Sequence, residues 1–91
     1  MVPYAEVQLQ PGKRYSISME PTYRGSVRYF ERTRANALSM HREGRPVSII
    51  VPSRSITPEE KEQYRAFFCT HAKKVRRNCI YFEGPVSVRE T

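Results

Sequence analysis

Residues 57–77 read Thr57-Pro58-Glu59-Glu60-Lys61-Glu62-Gln63-Tyr64-Arg65-Ala66-Phe67-Phe68-Cys69-Thr70-His71-Ala72-Lys73-Lys74-Val75-Arg76-Arg77. Thr57 is an N-cap residue, Pro58 suits the first helical position, and Glu60 stands three residues on, where a capping-box glutamate belongs. Tyr64, Phe67, Phe68, His71 and Val75 then recur at helical spacing on one face. Glu59, Glu60 and Glu62 open the segment while Lys73, Lys74, Arg76 and Arg77 close it, so charge opposes the macrodipole at both ends. These residues predict the dominant helix of the fold, over about 58–77.

Strands are predicted on both sides of it. Pro46–Val51 is nearly all apolar, the pattern of a central strand covered on both faces. Cys79–Phe82 reads as a short buried strand, Gly84-Pro85 as a turn, and Val86–Arg89 as a final edge strand. Upstream, Val7 and Leu9, then Tyr15, Ile17 and Met19, alternate with polar neighbours around Pro11-Gly12, which predicts an N-terminal β-hairpin. Pro21–Gly25 is a turn cluster, and Val27–Phe30 reads as a restarted extended segment. Residues 33–43 read as a short helix stopping at Gly44, with a strand continuing through Arg34 as the competing reading. The expected fold is a small α+β domain with one mostly antiparallel sheet, an N-terminal hairpin and one dominant amphipathic helix packed on it.

Length and composition bound the rest. Ninety-one residues make one domain, residues 1–91, with a modest core drawn from a 38% apolar fraction that includes six Tyr and four Phe. No apolar run reaches membrane length. The first residues show no basic or hydrophobic targeting signal, so the expected location is cytoplasmic. The two cysteines, Cys69 and Cys79, are too few for a disulfide framework and read as reduced thiols. Cys69 falls on the polar face of the 58–77 helix between Arg65 and Lys73, which predicts a reactive thiol, and Cys79 falls in a strand, which predicts a protected one.

The formal charge is +7, and Arg supplies twelve of the sixteen basic residues. Arginine suits bidentate contact with phosphate or carboxylate and stacking on flat rings. The basic excess is spread along the chain rather than gathered in a tail, so an anionic partner would meet a folded face. All nine acids are Glu, which removes mechanisms built on paired Asp.

Five constellations contain residue types that can carry chemistry. The first is Tyr23–Arg34, where Arg24, Arg28, Arg32 and Arg34 interleave with Tyr23, Tyr29 and Phe30. As a strand, it would put Arg28, Phe30, Arg32 and Arg34 on one face, a basic stripe with an aromatic platform of the kind that holds single-stranded nucleic acid. As a helix, the stripe breaks and Phe30 turns to the core; an ordinary solvated arginine face is the bland alternative. The second is Lys73, Arg76 and Arg77, a cluster able to grip phosphates without reading sequence, or simply to offset the helix dipole. His41, Cys69, His71 and Cys79 match no zinc spacing. Cys69 and His71 diverge round a helix, which excludes a nucleophile–base pair. The loop 52–57 lacks a glycine cradle, and Glu59 and Glu60 would repel a phosphate there.

No cofactor, metal or catalytic set is therefore expected. Two binding readings remain. In one, the arginine-rich face with Arg24, Arg28, Phe30, Arg32, Arg34, Lys73, Arg76 and Arg77 contacts nucleic acid, DNA or RNA, through its phosphates. In the other, the same face docks on an acidic surface of a partner protein, as a small phage-like inhibitor or adaptor would.

Overall fold

The computed structural model describes residues 4–63 and 77–91. It is a mixed α+β fold with five strands in two sheets and one main helix. The strands are β1 (Tyr4–Gln8), β2 (Tyr15–Met19), β3 (Val47–Pro52), β4 (Asn78–Tyr81) and β5 (Val86–Glu90), and the main helix is α1 (Val27–Arg42).

β3 is central, as its apolar run predicts. It pairs antiparallel with β1 (Val7 opposite Ile49) and parallel with β4 (Ile49 opposite Ile80), and Val47, Ser48, Ile49 and Ile50 are buried. Parallel neighbours require a crossover connection, and residues 53–77 supply it. The expected capping box opens this connection. Thr57 N–H donates to Glu60 Oε1 at 3.1 Å, and Glu60 N–H donates to Thr57 Oγ1 at 3.1 Å. Residues 58–63 are helical. Tyr64, Phe67, Phe68, Cys69, His71, Lys73, Val75 and Arg76 of the predicted helix lie outside the described residues, and Arg77 is no longer helical.

Three expectations are corrected. The N-terminal hairpin does not form: β1 joins β3, while β2 pairs antiparallel with β5 in a separate two-stranded sheet (Ile17 opposite Val88). The turn at Gly12 is real, with φ at 80° and a Lys13 N–H to Gln10 C=O bond of 3.3 Å. It serves as a passage between sheets, because Leu9 N–H continues the β1–β3 ladder onto Val47 C=O at 3.1 Å. The single expected sheet is thus two.

The third correction is α1. The segment Val27–Phe30 is helical rather than extended, and the helix expected at 33–43 starts six residues earlier, at Val27. Ser26 is its N-cap, with Oγ accepting from Tyr29 N–H at 3.2 Å. The far end closes on Gly44, whose φ of 82° is cheap only for glycine. Gly44 N–H bonds His41 C=O at 3.0 Å and Arg45 N–H bonds Met40 C=O at 3.0 Å, the paired bonds of a Schellman stop. Phe30, Ala37 and Met40 form the buried stripe. Phe30 lies 5.6 Å from the Phe82 ring and 5.9 Å from the Tyr23 ring, centroid to centroid, and this packing outweighs the β-propensity of a Val-Arg-Tyr-Phe run.

The core gathers Leu9, Ile17, Tyr23, Phe30, Ala37, Val47, Ile49, Phe82 and Val86 from both sheets and α1. Among the described residues, no helix is long and apolar enough to cross a membrane.

Candidate functional site

The helical state of Val27–Arg42 sorts the arginines of the Tyr23–Arg34 stretch. Phe30 is 2% exposed and presents no open ring face for stacking on a base. Arg34 lies over that ring, 5.0 Å from its centroid, and reaches Ile17 C=O at 3.5 Å. Arg24 folds back on its own loop, donating to Pro21 C=O at 2.9 Å and Tyr23 C=O at 3.1 Å. Arg77 is drawn into the fold: Nε donates to Ser48 Oγ and Nη2 to Val47 C=O, both at 2.6 Å. Lys73 and Arg76 lie outside the described residues. The expected stripe is therefore not one surface.

Arg28 and Arg32 remain. They are four residues apart, one above the other on the same helix face, exposed, and neither meets a carboxylate among the described residues. Both line an open groove of about 1040 Å³ between α1 and β4. Ser26, Tyr29, Thr33 and Asn36 add polar groups on the helix side, and Cys79, Ile80 and Tyr81 form the opposite wall. None of these lining residues is acidic.

Local electrostatics reinforce the sign. The first turn of α1 holds no acidic residue. Arg28 stands there instead, adding its charge to the positive end of the helix dipole rather than offsetting it. The 58–63 helix does the opposite, opening on Glu59, Glu60 and Glu62. Arg54 donates to Glu60 Oε2 at 2.8 Å, and this bond, with the Thr57 amide, holds the Glu60 carboxylate at about 2.

The groove wall is braced from behind. Tyr29 Oη donates to Tyr81 C=O at 3.2 Å, and Lys61 Nζ sits 4.2 Å from the centre of the Tyr29 ring. Lys61 also pairs with Glu83 at 3.3 Å; both side chains are largely buried, at 15% and 10% exposure. Tyr23 belongs to the same cluster. Burial first, then the negative charge of Glu83, then Tyr29, push its phenol up to about 12, and its Oη donates to Ser26 C=O at 2.9 Å. The α1 N-cap is thus tied to the core through Tyr23.

Sequence reasoning missed Tyr29, Thr33, Asn36 and Arg42 as site residues. Arg42 is exposed in the last turn of α1. At 100° per residue it falls on the side of the helix that carries Arg28 and Arg32. Ser26 was the available signal, an N-cap residue directly before the segment read as a strand. Cys79, expected to be protected, is half-buried on the groove wall; Cys69 lies outside the described residues. Comparison with protein-family models, curated proteins and solved structures finds no match for this chain.

Proposed function

We propose that this chain is a non-enzymatic nucleic-acid-binding protein that holds a phosphate backbone in the α1–β4 groove. Arg28 and Arg32 are the principal contacts, and Arg42 continues the basic face toward the end of the helix. One observation carries the reading: two exposed arginines one helical turn apart stand in a groove whose lining, among the described residues, contains no acid. Glu31 is exposed beside this face but does not line the groove, and a guanidinium that serves the fold is engaged, as those of Arg24, Arg34 and Arg77 are. Two guanidiniums one helical turn apart can meet neighbouring phosphates of one strand, and Thr33, Asn36 and Ser26 supply hydrogen-bonding groups of the kind that fix a backbone in register. Phe30 is not part of the interface.

Contacts of this type position the backbone and read no sequence, so the expected binding is salt-dependent and tolerant of sequence. Fluorescence anisotropy with single-stranded DNA, duplex DNA and RNA at several salt concentrations tests it. The log–log slope should be about -0.9 per phosphate contact on duplex and about -0.7 on single strands. Replacing Arg28 or Arg32 should weaken binding to all sequences alike and reduce the slope by about one unit. Absence of binding to every nucleic acid at low salt would sink this reading. It would favour the competing one, an acidic surface of a partner protein, where affinity would concentrate in one or two anchors.

A further inference from the structure

The two-stranded sheet has one edge that nothing described in the fold occupies. Glu20 N–H bonds Pro85 C=O at 3.1 Å, and Thr91 N–H bonds Arg14 C=O at 2.9 Å, at either end of the β2–β5 register. Antiparallel ladders alternate, so Ser16 bonds Arg89 and Ser18 bonds Ser87 across the ribbon. The N–H and C=O groups of Val86, Val88 and Glu90 must then point away from β2. None of them has a backbone partner among the described residues. The outer edge of β2 is differently placed, since Arg34 caps Ile17 C=O there.

We propose that β5 is a self-association edge on which a second copy of this chain adds its own β5 antiparallel, giving a continuous four-stranded sheet in the order β2-β5-β5-β2. The proposal is independent of nucleic-acid binding. Its register follows from the residues. Centring the pair on Val88 sets Val88 opposite Val88 of the second copy, Ser87 opposite Arg89, and Val86 opposite Glu90. All three outward-facing residues of each strand find partners, and no like charges stand opposite each other. Val88, packed against the core edge, gains an apolar neighbour on the same face. Ser87 and Arg89 keep the other face polar, so the joined sheet remains one-sided.

The comparison with β1 shows why this edge is chosen. In β1 the outward groups belong to Tyr4, Glu6 and Gln8, because the ladder bond from Leu9 to Val47 fixes the alternation. Self-pairing centred there would set Glu6 against Glu6, which is unfavourable. A β5 pair is self-complementary about a two-fold axis, the requirement for a closed dimer.

Five residues a side bury far less than the roughly 1,200 Å² of stable interfaces, so the dimer should be weak, with a dissociation constant on the order of 10⁻⁴ M. Sedimentation velocity on the full chain, from about 10 µM to about 1 mM, spans that value and should show a concentration-dependent monomer–dimer equilibrium. Two variants test the register. Ser87→Glu places a carboxylate opposite Arg89 of the other copy and should tighten the dimer about twofold, because Arg89 also reaches residue 87 of its own strand, where its Nε now donates to Ser87 Oγ at 3.1 Å; Ser87→Arg should loosen it by a similar factor. Ser87 lies on the polar face, and unchanged circular dichroism checks that both variants fold. A chain that stays monomeric across the range overturns the proposal. So does a dimer whose affinity ignores both substitutions or shifts in the same direction with each.

Discussion

Arg32 and Arg34 stand two residues apart on α1 and do opposite work. Arg34 lies along Phe30 and reaches the β2 backbone, so its charge is spent on holding the helix to the sheet. Arg32 lines the groove beside Arg28 and meets no carboxylate among the described residues. The same division separates Arg77, bonded to Ser48 and Val47, from Arg28. The arginines among the described residues thus fall into an engaged and an unengaged population, and the unengaged ones are available to a partner. Counting arginines overstates the available basic surface, and what each guanidinium touches gives its extent.

The largest effect should come from the ring beneath Arg34. Phe30→Ala removes a buried side chain that packs on Phe82 and Tyr23, and should cost about 3–5 kcal/mol, a large share of the stability of a domain this size. A urea melt measures it. A loss below about 1 kcal/mol would mean that this face of α1 is not core. Arg77→Ala comes next. It strips a charged donor from Ser48 Oγ, which is buried, and one of two donors from Val47 C=O, which keeps the Leu9 amide, and should cost about 1.5–3 kcal/mol. If the melt of Arg77→Ala matched wild type, Arg77 would move to the unengaged population.

The capping box should rank third, with Thr57→Ala losing about 1 kcal/mol. Differential scanning calorimetry on that variant would detect it. The acid and alkaline limits carry opposite signs. Glu60 is held at about 2 against an ordinary 4.5, so the unfolded chain takes up its proton first. The stability from Glu60 is present above 4.5 and fades as pH falls toward 2. Tyr23 is held at about 12 against 10, so the unfolded chain releases its proton first and stability declines as pH rises from 10 to 12. Tyr23→Phe should abolish that alkaline decline, and an unchanged pH–stability profile above pH 10 would contradict it. The smallest stability effects belong to the groove, where Arg28→Ala and Arg32→Ala should each stay within about 0.5 kcal/mol of wild type.

Local signals in the sequence proved the most legible. The Thr57–Glu60 box and the Gly44 stop are decided by residues within one turn of each other, and both were readable. The β3 strand was readable because a run covered on both faces needs no partner to announce it. What failed was non-local. Nothing near Pro11-Gly12 says that β1 will pair with β3, forty residues on, or that β2 will wait for β5. Val27–Phe30 misled because its β-branched and aromatic residues imitate a strand, while the contacts that make it helical come from Phe82 and Tyr23. The site suffered the same error: a strand period of two groups Arg28, Phe30, Arg32 and Arg34, and a helical period separates Arg28 and Arg32 from the other two.

In the proposed function, unengaged arginines contact the nucleic acid and engaged ones do not. This is tested most directly by measuring melting temperature and salt-dependent nucleic-acid affinity together on one variant, Arg28→Ala/Arg32→Ala. The double variant should melt within about 2 °C of wild type, with its log–log salt slope reduced by about two units. A double variant that melts like wild type and binds with unchanged affinity and slope would contradict it.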